Sequence, residues 1–325
     1  MSVLTEYFFT MDTFAESTVI TKKAEDGKTA NQEIQKICEE IEGRISNTIK
    51  TSEIYQFNSK LEISGTRDFQ FDFSEKTSDL LNLAEYMKDK TGGAFNPMLG
   101  EIIDLWGINN HDENFLRKLP EKDYFYSALE KVQNGIPSKI DLGAIGKGYA
   151  VDEISAYLAD NGIPNALVSF SSSVLAAGRN KSGNLWSVGI KDPKNPDTTC
   201  GVLNASDKVI SVSGGYERFA TINNTDYVHI IDPATGYPVD NDLLCIVVVM
   251  NAPSALQTKE EREKFKNNGA ISDALSTALY VMGKEKALKF YTAYSLDFEM
   301  ILFVKDESPR GYDIIPTSVM FTEFK

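Results

Sequence analysis

Apolar and polar positions divide the chain into helical stripes and short strand-like runs. From Asn31 to about Asn47 the apolar residues Ile34, Ile37, Cys38, Ile41 and Ile45 fall at offsets 0, 3, 4, 7 and 11, one face of a helix. Thr77 to Lys90 repeats the pattern with Leu80, Leu81, Ala84 and Met87, and Thr91-Gly92-Gly93 stops it. Lys147 to Asp160 reads as a further helix, ended by Asn161-Gly162 and Pro164, and Ser272 to Tyr294 as an apolar-rich one. Glu101 to Gln133 is mixed and helical, and Thr258 to Lys266 is a charged, solvated helix or loop.

Strand-like text opens the chain in TEYFFTM and ESTVITKK, with Asp26-Gly27 as a turn signal after them. Further strands are expected at Ala166–Phe170, Ser173–Ala177, Leu185–Ile190, Val209–Ser213, Tyr227–Ile231, Leu244–Met250, Glu299–Val304 and Tyr312–Ile315. Helices and strands interleave without strict βαβ alternation. This predicts an α+β fold, one intertwined unit of mixed sheets and helices spanning residues 1–325.

Charge narrows the partners. The net charge is −14, from 33 Lys plus Arg against 47 Asp plus Glu, with no basic cluster to offset it, so nucleic acid is not an expected partner. The longest strongly apolar run, Leu243 to Met250, is too short for a membrane span. The opening MSVLTEYFFTMDTFAE lacks a basic leader, a long apolar stretch and a lipid-attachment cysteine. A cytoplasmic location is expected for the chain as written, and an extracytoplasmic one if a leader was removed. Cys38, Cys200 and Cys245 are odd in number and far apart, so buried free thiols are expected rather than disulfides or zinc ligands.

Four segments carry candidate chemistry. In IDLGAIGKGYAVD (Ile140–Asp152) glycines and Lys147 sit where a strand feeds a helix, an arrangement that brings backbone N–H groups and a positive dipole to an anion. It matches neither a P-loop, because Gly143 and Gly146 are separated by two residues rather than four, nor a dinucleotide fingerprint. SVSGGYERF (Ser211–Phe219) is a strand entering a Gly-Gly turn. HIIDPATGYPV (His229–Val239) holds one of only two histidines beside a rigid Asp-Pro turn, where it could act as a base or brace the loop; His111 reads as a solvated loop residue. In ISDALSTALYVMG (Ile271–Gly283), Ser272 reads as an N-cap, so Asp273 and Thr277 share one face of the first turns at i, i+4. Carboxylate and hydroxyl suit Mg²⁺, although Asp273 could equally complement the helix dipole.

Together these segments resemble the flavin transferase family, the ApbE-like FAD:protein FMN transferases, nearly end to end. Met11-Asp12-Thr13, Ser52–Asn58 and GAFNPMLGEIIDLWG (Gly93–Gly107) also follow the family's motifs, and all stand in the family's order. The resemblance implies FAD bound in a cleft between two lobes, contacted by Met11, Ala94, Phe95, Asn96, Asp141, Lys147 and Ile231. It implies Mg²⁺ held by the Ala144 carbonyl, Asp273 and Thr277. It implies transfer of FMN from FAD to a threonine of an acceptor flavoprotein with release of AMP, with Lys147 on the phosphates and His229 as base. The alternatives are a Mg²⁺-dependent FAD pyrophosphatase and a non-catalytic FAD-binding or delivery protein; retention of Asp273, Thr277, Lys147 and His229 argues against the latter. Two departures stand out: Ser171-Ser172-Ser173 replaces a Gly-Gly-Asp or Gly-Gly-Asn turn, and Thr48 stands where an aromatic residue is common. Gln257–Gly269 looks like an insertion.

Overall fold

The computed structural model describes residues 1–65, 69–109, 119–216, 219–294, 297–317 and 320–324. Its organising element is an eight-stranded sheet of order β1-β2-β3-β4-β7-β10-β11-β12. The strands are β1 (Ser2–Thr10), β2 (Thr13–Thr21), β3 (Asn165–Ser169), β4 (Ser173–Ala177), β7 (Lys208–Gly214), β10 (Leu243–Asn251), β11 (Phe298–Lys305) and β12 (Tyr312–Pro316). Neighbours pair antiparallel throughout. A three-stranded sheet of order β13-β6-β5 is built from β5 (Trp186–Asp192), β6 (Asn195–Ala205) and β13 (Phe321–Glu323). A hairpin of β8 (Phe219–Ile222) and β9 (Thr225–Val228) stands apart.

The continuous apolar run in β10 has a direct cause. Ile246, Val248 and Met250 face a core shared with the helices, whereas Cys245, Val247 and Val249 face a second core under the small sheet. A strand covered on both faces has no polar side to alternate with. The helix-side core is closed by α1 (Ala24–Ile45), α2 (Glu53–Ser64), α3 (Glu75–Lys90), α6 (Gly146–Asp160) and α8 (Asn268–Ala293). A third core gathers Trp106 and Phe125, from α4 (Gly100–Trp106) and α5 (Lys122–Gln133), with Ile222 and Ile231. Among the described residues no helix is long and apolar enough to cross a membrane. All three cysteines are free and buried; burial pushes the Cys38 thiol up to about 12 and Cys200 to about 11, so both are poor nucleophiles.

The mixed α+β reading holds, with local corrections. Asp26-Gly27 is no turn: both residues lie inside α1, where Gly27 lets the helix approach the hairpin, because a Cβ there would meet Thr21 Oγ1 at 3.1 Å. The helix α2 follows its N-cap Ser52, which accepts from Tyr55 N–H; no helix was expected there. The strand expected at Tyr227–Ile231 ends at Val228, and Ile231 forms only an isolated bridge with Pro238. The charged segment after Thr258 forms a short helix, α7 (Lys259–Glu263), with a capping box between Thr258 and Glu261. Ser272 is not an N-cap. α8 starts after Asn267, and Ser272 lies inside it with its hydroxyl bonded to Ser211 and to the Gly269 carbonyl.

Candidate active site

A cavity of about 910 Å³ lies where the β1–β2 turn, the end of α1, the start of α6 and the helix α8 converge. Every residue assigned from the sequence to the flavin, the metal or the chemistry lines it. Met11 enters from the β1–β2 turn; Ala94, Phe95 and Asn96 from the loop after α3; Asp141 and Ala144 from the loop before α6 and Lys147 from its first turn, where the expected strand is absent because residues 134–145 are turn and loop. His229 and Ile231 come from the loop after β9, and Asp273 and Thr277 from α8. Thr48 and the serines Ser171 and Ser172 are on the same wall. His111 lies outside the described residues, as do Glu217 and Arg218 of the Gly-Gly-Tyr-Glu-Arg segment.

The turn that presents Met11 is tight. Thr10 pairs with Thr13, and both Met11 and Asp12 have positive φ, 47° and 58°, as a two-residue hairpin turn requires. The junction that presents Asp141 is held by asparagines. Asp141 Oδ2 accepts from the side chains of Asn47 at 2.6 Å and Asn109 at 2.9 Å, and Oδ1 accepts from Gly143 N–H at 2.8 Å. Asn58 exchanges bonds with the backbone of Ile140 in both directions and donates to Asn47. Sequence reasoning missed Asn47 and Asn109. Asn58 closes the Ser52–Asn58 motif, a signal that could have exposed its role.

Asp273 sits in the most constrained part of the wall. It is only 4% exposed. Its Oδ2 accepts from Gly148 N–H at 2.9 Å and its Oδ1 from the Ser173 hydroxyl at 3.3 Å. Burial raises its pKa above the usual carboxylate range, opposed by the charge of Lys147 and by these donors. Thr277, one turn on, is within 3.3 Å of the Ser213 hydroxyl. The two helices that carry this wall touch backbone to backbone. A Cβ on Gly148 would lie 2.1 Å from the Gly269 carbonyl oxygen. Asp152 of α6, fully buried, accepts from Gly269 N–H at 2.7 Å and Ala270 N–H at 2.8 Å, and so caps α8 from outside. Burial pushes the Asp152 carboxyl well above its ordinary range.

The loop carrying His229 and Ile231 is braced independently of the cavity. Asp232 accepts from Ala234 N–H and from the Thr235 hydroxyl, and Trp106 Nε1–H donates to the Gly236 carbonyl at 2.8 Å. Trp106, Phe125 and Tyr237 pack edge-on around this loop.

Among the described residues no group of three or more His, Cys, Asp or Glu could hold a metal. The Asp273 carboxylate, the Thr277 hydroxyl and the backbone carbonyl of Ala144, three residues that line the one cavity, are nevertheless all hard oxygen donors. They fit Mg²⁺, which takes one or two protein carboxylates and leaves its remaining positions to water and phosphate.

The profile of the ApbE family matches residues 11–302. A protein of Vibrio cholerae named FAD:protein FMN transferase is 26% identical over 293 residues, covering 86% of this chain and 81% of its own. One of the same name in Escherichia coli K12 is 25% identical over 310 residues, covering 90% and 82%. The solved structure of the flavin transferase ApbE from Vibrio cholerae has the same fold, with a TM-score of 0.78 at 24% identity over 98% of both chains. That of the ApbE protein from Thermotoga maritima matches equally, at TM-score 0.78 and 24% identity over 98% of this chain and 97% of that one. With a match from the β1–β2 turn into β11, the chain belongs to the ApbE family.

Proposed function

We propose that the chain is a Mg²⁺-dependent FAD:protein FMN transferase, acting as a single domain over residues 1–325 on an acceptor flavoprotein with a target threonine. The names of its relatives support the reaction. The observation that carries the reading is the meeting of Lys147, His229, Asp273 and Thr277 on one cavity of about 910 Å³, a volume suited to a dinucleotide-sized ligand.

In this reading FAD is held by Met11, the stretch Ala94–Asn96, Asp141, Lys147 and Ile231. The Ala144 carbonyl, Asp273 and Thr277 would hold Mg²⁺, which supplies charge neutralisation to the diphosphate oxygens. Lys147 adds a fixed cation on the same wall. His229 takes the proton of the threonine hydroxyl, whose oxygen forms a bond to the phosphorus of the FMN half. The bond from that phosphorus to the bridging oxygen breaks, and AMP departs with that oxygen. Substrate binding excludes water from the cavity, which favours the protein hydroxyl over hydrolysis.

Mass spectrometry of an acceptor protein incubated with enzyme, FAD and Mg²⁺ tests this. The expected result is an acceptor heavier by one FMN, with AMP released. Free FMN and AMP with an unmodified acceptor would make the enzyme a pyrophosphatase. Intact FAD retained on the protein would make it a carrier.

A further inference from the structure

The large sheet is covered unevenly on the face away from the helices. Under the small sheet, Val174, Ile210, Val247 and Val249 are buried. Toward the β1 edge the same face is open, and it carries aromatic side chains. Tyr7 is 72% exposed, Phe9 62% and Phe14 79%. Phe9 and Phe14 are register partners across β1 and β2, with ring centroids 5.3 Å apart. Exposed aromatic clusters of this kind mark interaction surfaces. Phe9 also lines the large cavity, so this patch borders the mouth of the site.

A second hollow, of about 280 Å³, continues that face beneath β5. Its floor is Glu16, Leu167, Ser169 and Val174 of the large sheet, and its roof is the run Ser187–Lys191. β5 is the terminal strand of the small sheet, so among the described residues one side of its backbone has no strand partner. The hollow adjoins the large cavity: Ser171, Lys191, Val212 and Tyr216 line both. The pairing of β5 with β6 is irregular at Lys191, as at a bulge that re-aims a side chain. Lys147 and Lys191 are the lysines on the cavity wall among the described residues.

We infer that this surface receives an extended segment of the acceptor protein. An apolar residue of the segment rests on Tyr7, Phe9 and Phe14, the strand adds to the β5 edge, and its side chains lie in the hollow. The acceptor hydroxyl then enters the cavity past Lys191. The inference rests on the transferase reading and adds to it the route of the second substrate. An acceptor must reach a cavity already occupied by FAD. The hollow lies beside that cavity and under a free strand edge, the usual device for binding an extended chain. Its lining is mixed, with Ser169, Ser171 and Glu16 beside Leu167, Val174 and Val212.

The test uses synthetic peptides with one threonine among small residues, supplied with FAD and Mg²⁺. A Tyr7→Ser/Phe14→Ser variant removes the patch, and Ser169→Arg crowds the hollow from its floor; none of these residues lines the large cavity. Each variant should raise the peptide KM about tenfold or more, with FAD affinity and melting temperature kept. A peptide KM within about twofold of wild type in both variants would overturn the docking surface alone. Unchanged KM with loss of a wild-type dimer in sedimentation would assign the patch to a second copy, and loss of binding to phosphatidylcholine vesicles would assign it to lipid. Either would also overturn the inference. Peptides left unmodified by wild-type enzyme that cleaves FAD would overturn the transferase reading itself, and this inference with it.

Discussion

Gly148 and Asp273 are joined by a bond of 2.9 Å from the glycine N–H to carboxylate Oδ2, across the closest approach of α6 and α8. The contact couples the glycine-rich junction to α8. The N–H orients Oδ2, and the missing Cβ at Gly148 lets the helices meet. Gly148→Ala would place a methyl 2.1 Å from the Gly269 oxygen and 2.6 Å from Asp273 Cβ. The variant should lose about 1–3 kcal/mol of stability, read by denaturant unfolding, and bind Mg²⁺ more weakly. Wild-type stability would mean that α6 and α8 separate freely.

Asp273→Asn keeps the shape of the side chain and an acceptor for Gly148, but removes its charge. It should melt near the wild-type temperature and cut Mg²⁺-dependent FAD cleavage by about 10²-fold or more. Cleavage at the wild-type rate across a Mg²⁺ titration would remove Asp273 from the metal site.

For His229→Ala, the expected loss of transfer is about 10²–10⁴-fold, with FAD affinity nearly kept. A bracing role predicts the reverse: weaker FAD binding and a lower melting temperature, with little change in rate at saturation.

The carboxyl of Asp152 gives a stability signature against pH. Burial raises its pKa in the folded state. The stability linked to its proton is therefore fully present below the unfolded value of about 4, and is lost as pH rises through the folded value. Asp152→Asn offers one fewer acceptor to Gly269 and Ala270, so it is less stable than wild type in mild acid. The gap in melting temperature should narrow as pH rises. A gap that widens toward neutral pH would show that Asp152 is held as an anion by its two N–H donors.

Ser171 and Ser173 differ in kind, although both belong to the stretch that replaces the family's Gly-Gly-Asp or Gly-Gly-Asn turn. Ser171 has φ of 64°, a left-handed conformation that suits glycine, whereas Ser173 belongs to β4 and bonds to Asp273. Ser171→Gly should gain up to about 1 kcal/mol in thermal unfolding. Ser173→Ala should weaken Mg²⁺ binding. Replacing all three serines with Gly-Gly-Asn mixes these effects, so FAD titrations on the single variants are the cleaner measurement.

The helical stripes of α1, α3, α6 and α8, the apolar run of β10 and the residues singled out for flavin and metal were legible in the chain, whereas α2, β6 and the asparagines Asn47 and Asn109 on the cavity were not. Periodicity records which face of an element is buried, and the segments Ile140–Asp152, His229–Val239 and Ile271–Gly283 carry their chemistry in consecutive residues. Tertiary structure decided what depends on distant partners. Asp152, separated by 117 residues from Gly269, caps α8, so no local signal marks where that helix begins. Asn47 and Asn109 meet on Asp141 only because the fold brings them there. Ser211 and Ser213 join Ser272 and Ser276 across 61 and 63 residues, turning serines that read as a cap and a strand into a buried seam between β7 and α8. The hollow under β5 belongs to no motif, because it is made by the spacing between two sheets.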